Sequence, residues 1–493
     1  MDNRFYFGFN TSEERKKRRK AELYSMSEQV STFFWDEAPQ HGLEMREGQQ
    51  DMSFEIVDAL INDQHFAIEA GVGIGKSFGY LVPVLLYSKR MNKPVIIATS
   101  TIALQEQLWR DVHAVMPLLG LNRDVILAKG QTHYLCNKRA DEYMCDPKAD
   151  PPDALKEGIK QGYEERKDFP EVLPQGVWDK VNVQRFSMKN CGSCEKKCKY
   201  YKVRAALKFT DGVVLCNQDF LTQHLMKLRR GQEGLINAAA DLLVVDEAHN
   251  LDDKVRSATT ERFGQGMLFG MIKSAFYELR SFDQSSVSGE KREAESAIIA
   301  FYNCLKAQVQ KQINEAEQDM RYADRFFFDN NGSAIELLTE MNAAIHNLSS
   351  SIQIYSSMDF RNNRSFAASD DLDAVSESLS ELLDRIDDML IWIEQHGSNT
   401  ELVYCPKNTK EIVSRLYFNG DERTILTSAT LTNATSGSLE EQYSYFISNT
   451  GFPVGERGCL SEPKPSPYPY DEHAMIYYCD DLPHPTKEHE AFI

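Results

Sequence analysis

The sequence predicts an α/β fold built on a parallel sheet, on the strength of three observations. Apolar runs of strand length recur along the chain, amphipathic helical patterns separate them, and several of the runs end at a glycine or a carboxylate. Strands covered on both faces read as continuous apolar stretches, and strands that alternate with helices build parallel sheets. The composition, 42% hydrophobic and 26% charged, is that of a globular protein. A chain of 493 residues has room for about three domains.

Residues 65–70 are the first such run; glycines follow, and Lys76 and Ser77 open a helical pattern over 78–87. Residues 94–99 read as a second strand, followed by a helix over 103–109. Further strands are expected at 124–128 and 211–215. The clearest, 241–245, stops at Asp246, and the pattern resumes at 423–427. Two stretches break the rhythm. Residues 130–205 are rich in charge, Cys, Pro and Tyr without a buried-strand run, and 251–405 read as long polar helices, for example over 290–323 and 370–396. The expected organisation is an N-terminal extension (1–39) and a sheet domain in three parts (40–129, 206–250 and 406–435), interrupted by inserts at 130–205 and 251–405. Residues 463–469, with alternating prolines, read as an extended linker.

The residues numbered 70–77 carry the first chemical signal: Ala70, Gly71, Val72, Gly73, Ile74, Gly75, Lys76 and Ser77 form a phosphate-binding loop with alanine at the first glycine position. Glycines let backbone N–H groups wrap clustered negative charge, and the following helix presents the positive end of its dipole. In such a loop the lysine reaches the β- and γ-phosphates and the serine a magnesium ion, so a nucleoside triphosphate with Mg²⁺ is the expected ligand. Asp246-Glu247-Ala248-His249 ends the clearest strand. A carboxylate there can hold the magnesium and the next can deprotonate an attacking water, which assigns Asp246 to the metal and Glu247, the catalytic base, to the water.

Ten cysteines in a chain of this kind do not suggest a disulfide framework. Cys191, Cys194 and Cys198 are clustered, and Cys136 or Cys145 could add a fourth thiolate; four suit zinc or an iron–sulfur cluster, and spacing does not separate the two. The net charge of −19 excludes a surface basic throughout, but local patches decide nucleic-acid binding. Residues 15–20 form one basic run, expected to be a solvated face. The other holds Lys189, Lys196, Lys197, Lys199, Lys202, Arg204 and Lys208 against only Glu195, interleaved with Tyr200 and Tyr201. Basic groups beside aromatics make a sequence-tolerant single-strand track, with Lys197 and Lys199 as its phosphate contacts. No run approaches the roughly 20 apolar residues of a membrane span, and no secretory pattern opens the chain, so a cytoplasmic protein without a membrane partner is expected, and nothing in the sequence points to an obligate protein partner.

The loop, the DEAH-box residues Asp246–His249 and Ser428-Ala429-Thr430 resemble motifs I, II and III of superfamily 2 helicases, and the finer detail resembles the DinG branch of the XPD-like, iron–sulfur DNA helicases. Residues 46–52 are similar to that family's adenine-recognising Q motif, which implies ATP, with Gln49 and Arg46 at the base. Residues 99–108 resemble its motif Ia, implying contact of Thr99 and Thr101 with single-stranded DNA. Residues 129–136 resemble the segment leading into the first cluster cysteine, implying a 4Fe–4S cluster on Cys136, Cys191, Cys194 and Cys198. His249, Ser428 and Thr430 would couple hydrolysis to movement. The resemblance covers residues 40–250 and motif III closely, and 251–420 by position only. It implies a RecA-like P-loop NTPase sheet, a Cys-rich cluster insert at 130–205 and an α-helical arch at 251–405. Single-stranded, forked or duplex DNA would be the partner, with 5′ to 3′ translocation in repair or replication. Residues 436–493 would open a second motor domain and stop before its arginine-bearing motif. Weak or absent DNA-stimulated ATP hydrolysis is therefore expected of this chain alone. The alternative is a non-motor, nucleotide-regulated DNA-binding protein. With about 45 residues ahead of Arg46, an exonuclease domain is not expected.

Overall fold

The computed structural model describes residues 12–44, 46–170, 172–184, 186, 188–279, 284–316, 324–330, 332–358, 367–468, 472 and 475. In chain order the strands are β1 (His65–Glu69), β2 (Val95–Thr99), β3 (Val125–Leu127), β4 (Val213–Asn217), β5 (Leu242–Asp246), β6 (Glu261–Gly264), β7 (Arg325–Phe327), β8 (Met389–His396), β9 (Asn399–Pro406), β10 (Arg423–Ser428) and β11 (Gly458–Leu460). The chain forms two compact units, one of Met1–Leu251 with Ser414–Ile493 and one of Asp252–Val413. No helix among the described residues is long and apolar enough to cross a membrane.

The first unit is built on a sheet of order β11-β1-β10-β5-β2-β4-β3, parallel at every pairing. Its central strands are buried almost throughout, which is why they appear in the sequence as unbroken apolar runs. The order is not sequential: β10, remote in sequence, lies between β1 and β5. The phosphate loop after β1, Asp246 at the end of β5 and Ser428 at the end of β10 therefore meet at one carboxyl edge, where open α/β sheets bind ligands.

The helix Lys76–Met91 carries Pro83 in its interior. Proline has no N–H to give to the carbonyl four residues earlier, which here is Gly79. The fully buried Ser53, on the helix Glu47–Ile61, donates its hydroxyl to Gly79 O at 2.6 Å and replaces the missing bond.

Residues 12–39, the described part of the expected N-terminal extension, belong to the first unit's core. The helix Ser12–Thr32 and the turn after it bury Leu23, Met26, Val30, Phe33 and Phe34 in the same core as β1 and β2. Arg19, of the basic run, donates to the Tyr87 hydroxyl at 3.0 Å; the side chains at 15–18 lie outside the described residues. At the other end, 436–468 do not open a second domain. β11 pairs with β1 and extends the first sheet. Tyr443, Phe446 and Phe452 bury against one another and against Phe418, and that apolar contact holds the segment to the unit that contains the loop. Nearly all residues beyond 468 lie outside the described set.

The second unit is not purely helical. An antiparallel sheet of order β6-β9-β8-β7 shares a core with the helices Gln265–Glu278, Ser288–Glu315, Gly332–Met358 and Ala367–Asp384. The helix expected over 370–396 ends at Asp384, and Met389–His396 is strand β8. Its β-branched and aromatic residues favour the pleat, and Gly397, at φ 61°, makes the turn into β9. Residues 317–323 of the helix expected over 290–323 lie outside the described residues.

Replacing Ser53 with Ala should leave Gly79 O unpaired and cost about 1–3 kcal/mol in denaturant unfolding, an effect that Ser53→Thr should largely avoid. Two histidines make stability depend on pH. His65 is fully buried, accepts from Thr424 N at Nδ1 (3.0 Å) and lies 3.2 Å from Phe418 O at Nε2; burial, aided by the charge of Arg423, pushes its pKa down to about 4. His224 accepts from Leu235 N and Ile236 N, and burial likewise lowers it to about 4. Between pH 6.5 and 4 the unfolded chain binds protons that the folded one refuses. Unfolding free energy should therefore fall as pH drops through that window, on the order of 3 kcal/mol per histidine by pH 4. A pH-independent denaturation midpoint across it would contradict this assignment.

Candidate functional site

The loop after β1 has the backbone its glycines demand. Gly73 and Gly75 sit at φ 90° and 85°, where a side chain would be strained. Ala70 is 1% exposed, pairs with Lys464 in an isolated bridge, and gives its N–H to Ser428 O at 2.8 Å; it has no positive φ, so alanine costs nothing there. Gly75 is the N-cap of the helix Lys76–Met91 with no side chain capping it, which leaves the first-turn N–H groups for an anion.

Lys76 Nζ lies 3.0 Å from Asp246 Oδ1 and 2.7 Å from Glu247 Oε1. Burial opposes its charge, but the two carboxylates outweigh that and its pKa is raised. Burial raises Asp246, with the Glu247 charge adding to the effect and Lys76 opposing it. One ammonium thus serves two carboxylates, leaving a net negative charge in a part-buried site. Glu247 adopts the left-handed conformation (φ 56°, ψ 46°), a strain of about 1–2 kcal/mol for a residue with a Cβ. Ser77 is grouped with Tyr80, whose hydroxyl donates to Asp246 Oδ2 at 3.3 Å, and with Asp111, which burial raises.

A second layer surrounds Glu247. His249 Nδ1 is 2.7 Å from Ser428 Oγ and 3.4 Å from Glu247 Oε2, Ser428 Oγ donates to the same carboxylate at 3.4 Å, and Thr430 N donates to Ser428 Oγ at 3.2 Å. Three residues that sequence reasoning did not single out hold this arrangement. Gln218, fully buried, donates to both Asp246 O (2.7 Å) and Glu247 O (3.0 Å). Glu69, last in β1, accepts from Leu431 N, Thr432 N (2.6 Å each) and Thr432 Oγ1 (2.8 Å), tying the root of the loop to the segment after β10. Tyr80 is the third. A buried glutamine and a carboxylate at a strand end were the available signals, but their partners are distant in sequence.

Arg46 and Gln49 both reach the loop: Arg46 donates to Gly73 O, and Gln49 Nε2 donates to Gly75 O at 2.8 Å. The structure corrects part of the expected DNA contacts. Thr99, paired with Asn217 of β4, is 0% exposed, so its hydroxyl does not reach the surface where a DNA strand would lie. Thr101 is exposed and caps the helix Ile102–Leu118 through Leu104 N at 3.3 Å. Lys199 is ion-paired with Glu165 at 2.7 Å, and Tyr200 is buried against Tyr134 and Phe186, so neither is free to serve a track. Lys197 is exposed and lies over the Tyr201 ring.

Cys136 and Cys198 each precede a helix, Asn137–Cys145 and Lys199–Phe209, and Asn137 Nδ2 donates to Lys197 O at 3.4 Å across the two segments. Burial raises the Cys198 thiol, and the nearness of Cys136 and Cys191 raises it further. Cys194 N donates to Cys191 O at 3.2 Å in a tight turn. Cys145 sits at the far end of its helix, about 13 Å along the axis from Cys136, and is exposed. The described cysteines are all free thiols, so the donor chemistry suits a thiolate-bound metal, although no metal-holding group is assembled among the described residues.

The family model DEAD_2 matches residues 132–266, which include the clustered cysteines and Asp246–His249. The chain is 24% identical over 479 residues to the probable ATP-dependent helicase YpvA of Bacillus subtilis, covering 91% of this chain and 69% of that protein. It is 26% identical over 496 residues to the B. subtilis protein named 3′-5′ exonuclease DinG (88% and 50%), and 30% identical over 240 residues to the ATP-dependent DNA helicase YoaA of Escherichia coli (46% and 36%). Over these stretches the chain is similar to DinG-type ATP-dependent helicases. It spans half the length of that DinG and about a third of YoaA. The α/β architecture with a parallel sheet that the sequence predicts is the one the first unit has.

Glu69→Ala should release Leu431 and Thr432, costing about 2–4 kcal/mol and speeding hydrogen exchange at those two amides above others in the segment. Unchanged exchange would show that the segment is held by other contacts.

Proposed function

We propose that this chain is the ATP-binding motor unit of a DNA helicase, holding ATP–Mg²⁺ at Lys76, Ser77, Asp246 and Glu247 and engaging single-stranded DNA. The observation that carries the proposal is the placement of Lys76 between Asp246 and Glu247 at the mouth of a glycine loop. Phosphate oxygens arriving on the loop N–H groups compete for the Lys76 ammonium and draw it from the carboxylates. The carboxylates, left without their cation, then favour a divalent ion. Magnesium bound by Ser77 and Asp246 would neutralise charge on the phosphates. Glu247, freed from Lys76 and still oriented by Ser428 and His249, can accept a proton from a water aligned with the γ-phosphate. His249, Ser428 and Thr430 would carry the state of that phosphate toward the segment after β10. Gln49 and Arg46 would read the base. Translocation from 5′ to 3′ in repair or replication, in the cytoplasm, follows from family resemblance.

The cluster is proposed as 4Fe–4S on Cys136, Cys191, Cys194 and Cys198; the proximity of Cys136 and Cys191 to Cys198 supports a shared thiolate site, and the family resemblance favours iron over zinc. Anaerobically purified protein should be brown, contain about four irons per chain and bleach on reduction; colourless protein with one zinc would overturn this.

Titration with a fluorescent ADP analogue tests the nucleotide site. Binding should require Lys76, with Lys76→Ala weakening it at least about tenfold, while Glu247→Gln should keep binding and abolish any ATP turnover. Equal affinity for wild type and Lys76→Ala would sink the reading. For DNA, Lys197→Glu should weaken single-strand binding and flatten its salt dependence by about one to two phosphate contacts. An unchanged salt slope would put the track elsewhere.

A further inference from the structure

The segment after β11 does not leave the sheet as a linker. Ser461 N donates to Ala67 O, Lys464 N to Glu69 O and Gly71 N to Lys464 O, each at 2.9 Å, so the chain runs on beside β1 and into the phosphate loop. Ser466 Oγ then donates to Val72 O at 2.7 Å, and Lys464 Nζ lies 2.7 Å from Glu55 Oε1 on the helix that carries Gln49. Residues 461–466 are therefore tied both to the loop and to the helix Glu47–Ile61.

These ties deliver Tyr468 to a particular place. Its ring packs on Gly73 so closely that a Cβ there would come within 2.1 Å of Tyr468 Cε2, a second reason for glycine at this position. Its hydroxyl is a neighbour of Arg46, the residue that donates to Gly73 O. Half of Tyr468 remains exposed. Arg46 and Gln49 offer polar atoms at this end of the loop but no apolar face. A nucleobase needs both, since hydrogen bonds at its edge select it and a flat surface takes up its π-face.

We propose that Tyr468 is a base-stacking residue of the nucleotide site, supplying the aromatic face against which the purine of the bound nucleotide lies, with Gln49 and Arg46 at the purine edge. This rests on the nucleotide reading above and adds a residue to it from the segment that the sequence presents as a linker. It also makes base binding sensitive to the position of residues 461–468, because the stacking face and the loop are held by the same hydrogen bonds.

The test uses the whole chain and two probes, ADP and inorganic tripolyphosphate, each competing with a fluorescent ADP analogue. Tyr468→Ala should weaken ADP about tenfold, and Tyr468→Phe, which keeps the ring, should bind it within about twofold of wild type. Tripolyphosphate, having no base, should bind all three proteins alike, which also shows that the loop is intact. Unchanged ADP affinity in Tyr468→Ala overturns the proposal. So does an equal loss for ADP and tripolyphosphate, since Tyr468 would then only brace the loop. A wild-type chain that binds neither probe would overturn the nucleotide reading and this inference with it.

Discussion

A single ammonium shared by two carboxylates, Lys76 between Asp246 and Glu247, organises the carboxyl edge of the sheet, and the rest of the first unit can be understood as what puts those three groups together. Two carboxylates held this close and away from water would repel and partly protonate without a cation between them. Lysine supplies that cation. A lone pair of opposite charges would be neutral and self-sufficient; two against one leaves a deficit that a ligand carrying both anionic groups and a divalent ion can correct. The same arrangement therefore holds the two carboxylates together and predisposes the lysine to exchange partners.

Bringing the three together requires strand order more than local structure. Because β10 is inserted between β1 and β5, Ser428 lies beside both the loop and Glu247, although it comes 181 positions after that glutamate. Side chains then secure the meeting points. Glu69 gathers the N–H groups after β10, Gln218 fixes the backbone at Asp246 and Glu247, and Ser53 completes the helix that Pro83 would otherwise break. Each satisfies a buried polar group that no regular hydrogen-bond ladder reaches, so each is a point where stability and site geometry are the same interaction.

The Cys-rich region is joined to the sheet by charge. Lys129, 4% exposed, bridges Glu106 on the helix Ile102–Leu118 and Glu165; Glu165 in turn holds Lys199 at the start of the helix after Cys198, and Lys167 returns to Glu106. Burial works against the carboxylate of Glu106, but Lys129 and Lys167 outweigh it and hold its pKa down at about 2. Lysines that look in the sequence like a phosphate track are thus partly consumed in attaching this region, which leaves Lys197 as the exposed one of the two singled out.

The central strands of the first sheet, the glycine loop, the acidic strand end and the cysteine spacing could all be recognised in the sequence, because each is a local pattern: an apolar run buried on both faces, backbone angles only glycine tolerates, thiols a few residues apart. What could not be recognised was set by partners far away. The strand β8 was masked by polar neighbours that suit a helix, the N-terminal helix shows no strong apolar stripe though it packs into the core, and Thr99 looks like a surface residue although the folded chain buries it completely. The sequence by itself determined that a phosphate loop and two carboxylates exist. Only the tertiary structure decided that Lys76 stands between them, that 436–468 close the first sheet, and that Tyr468 lies on Gly73, since each depends on segments whose separation along the chain carries no signal of their contact.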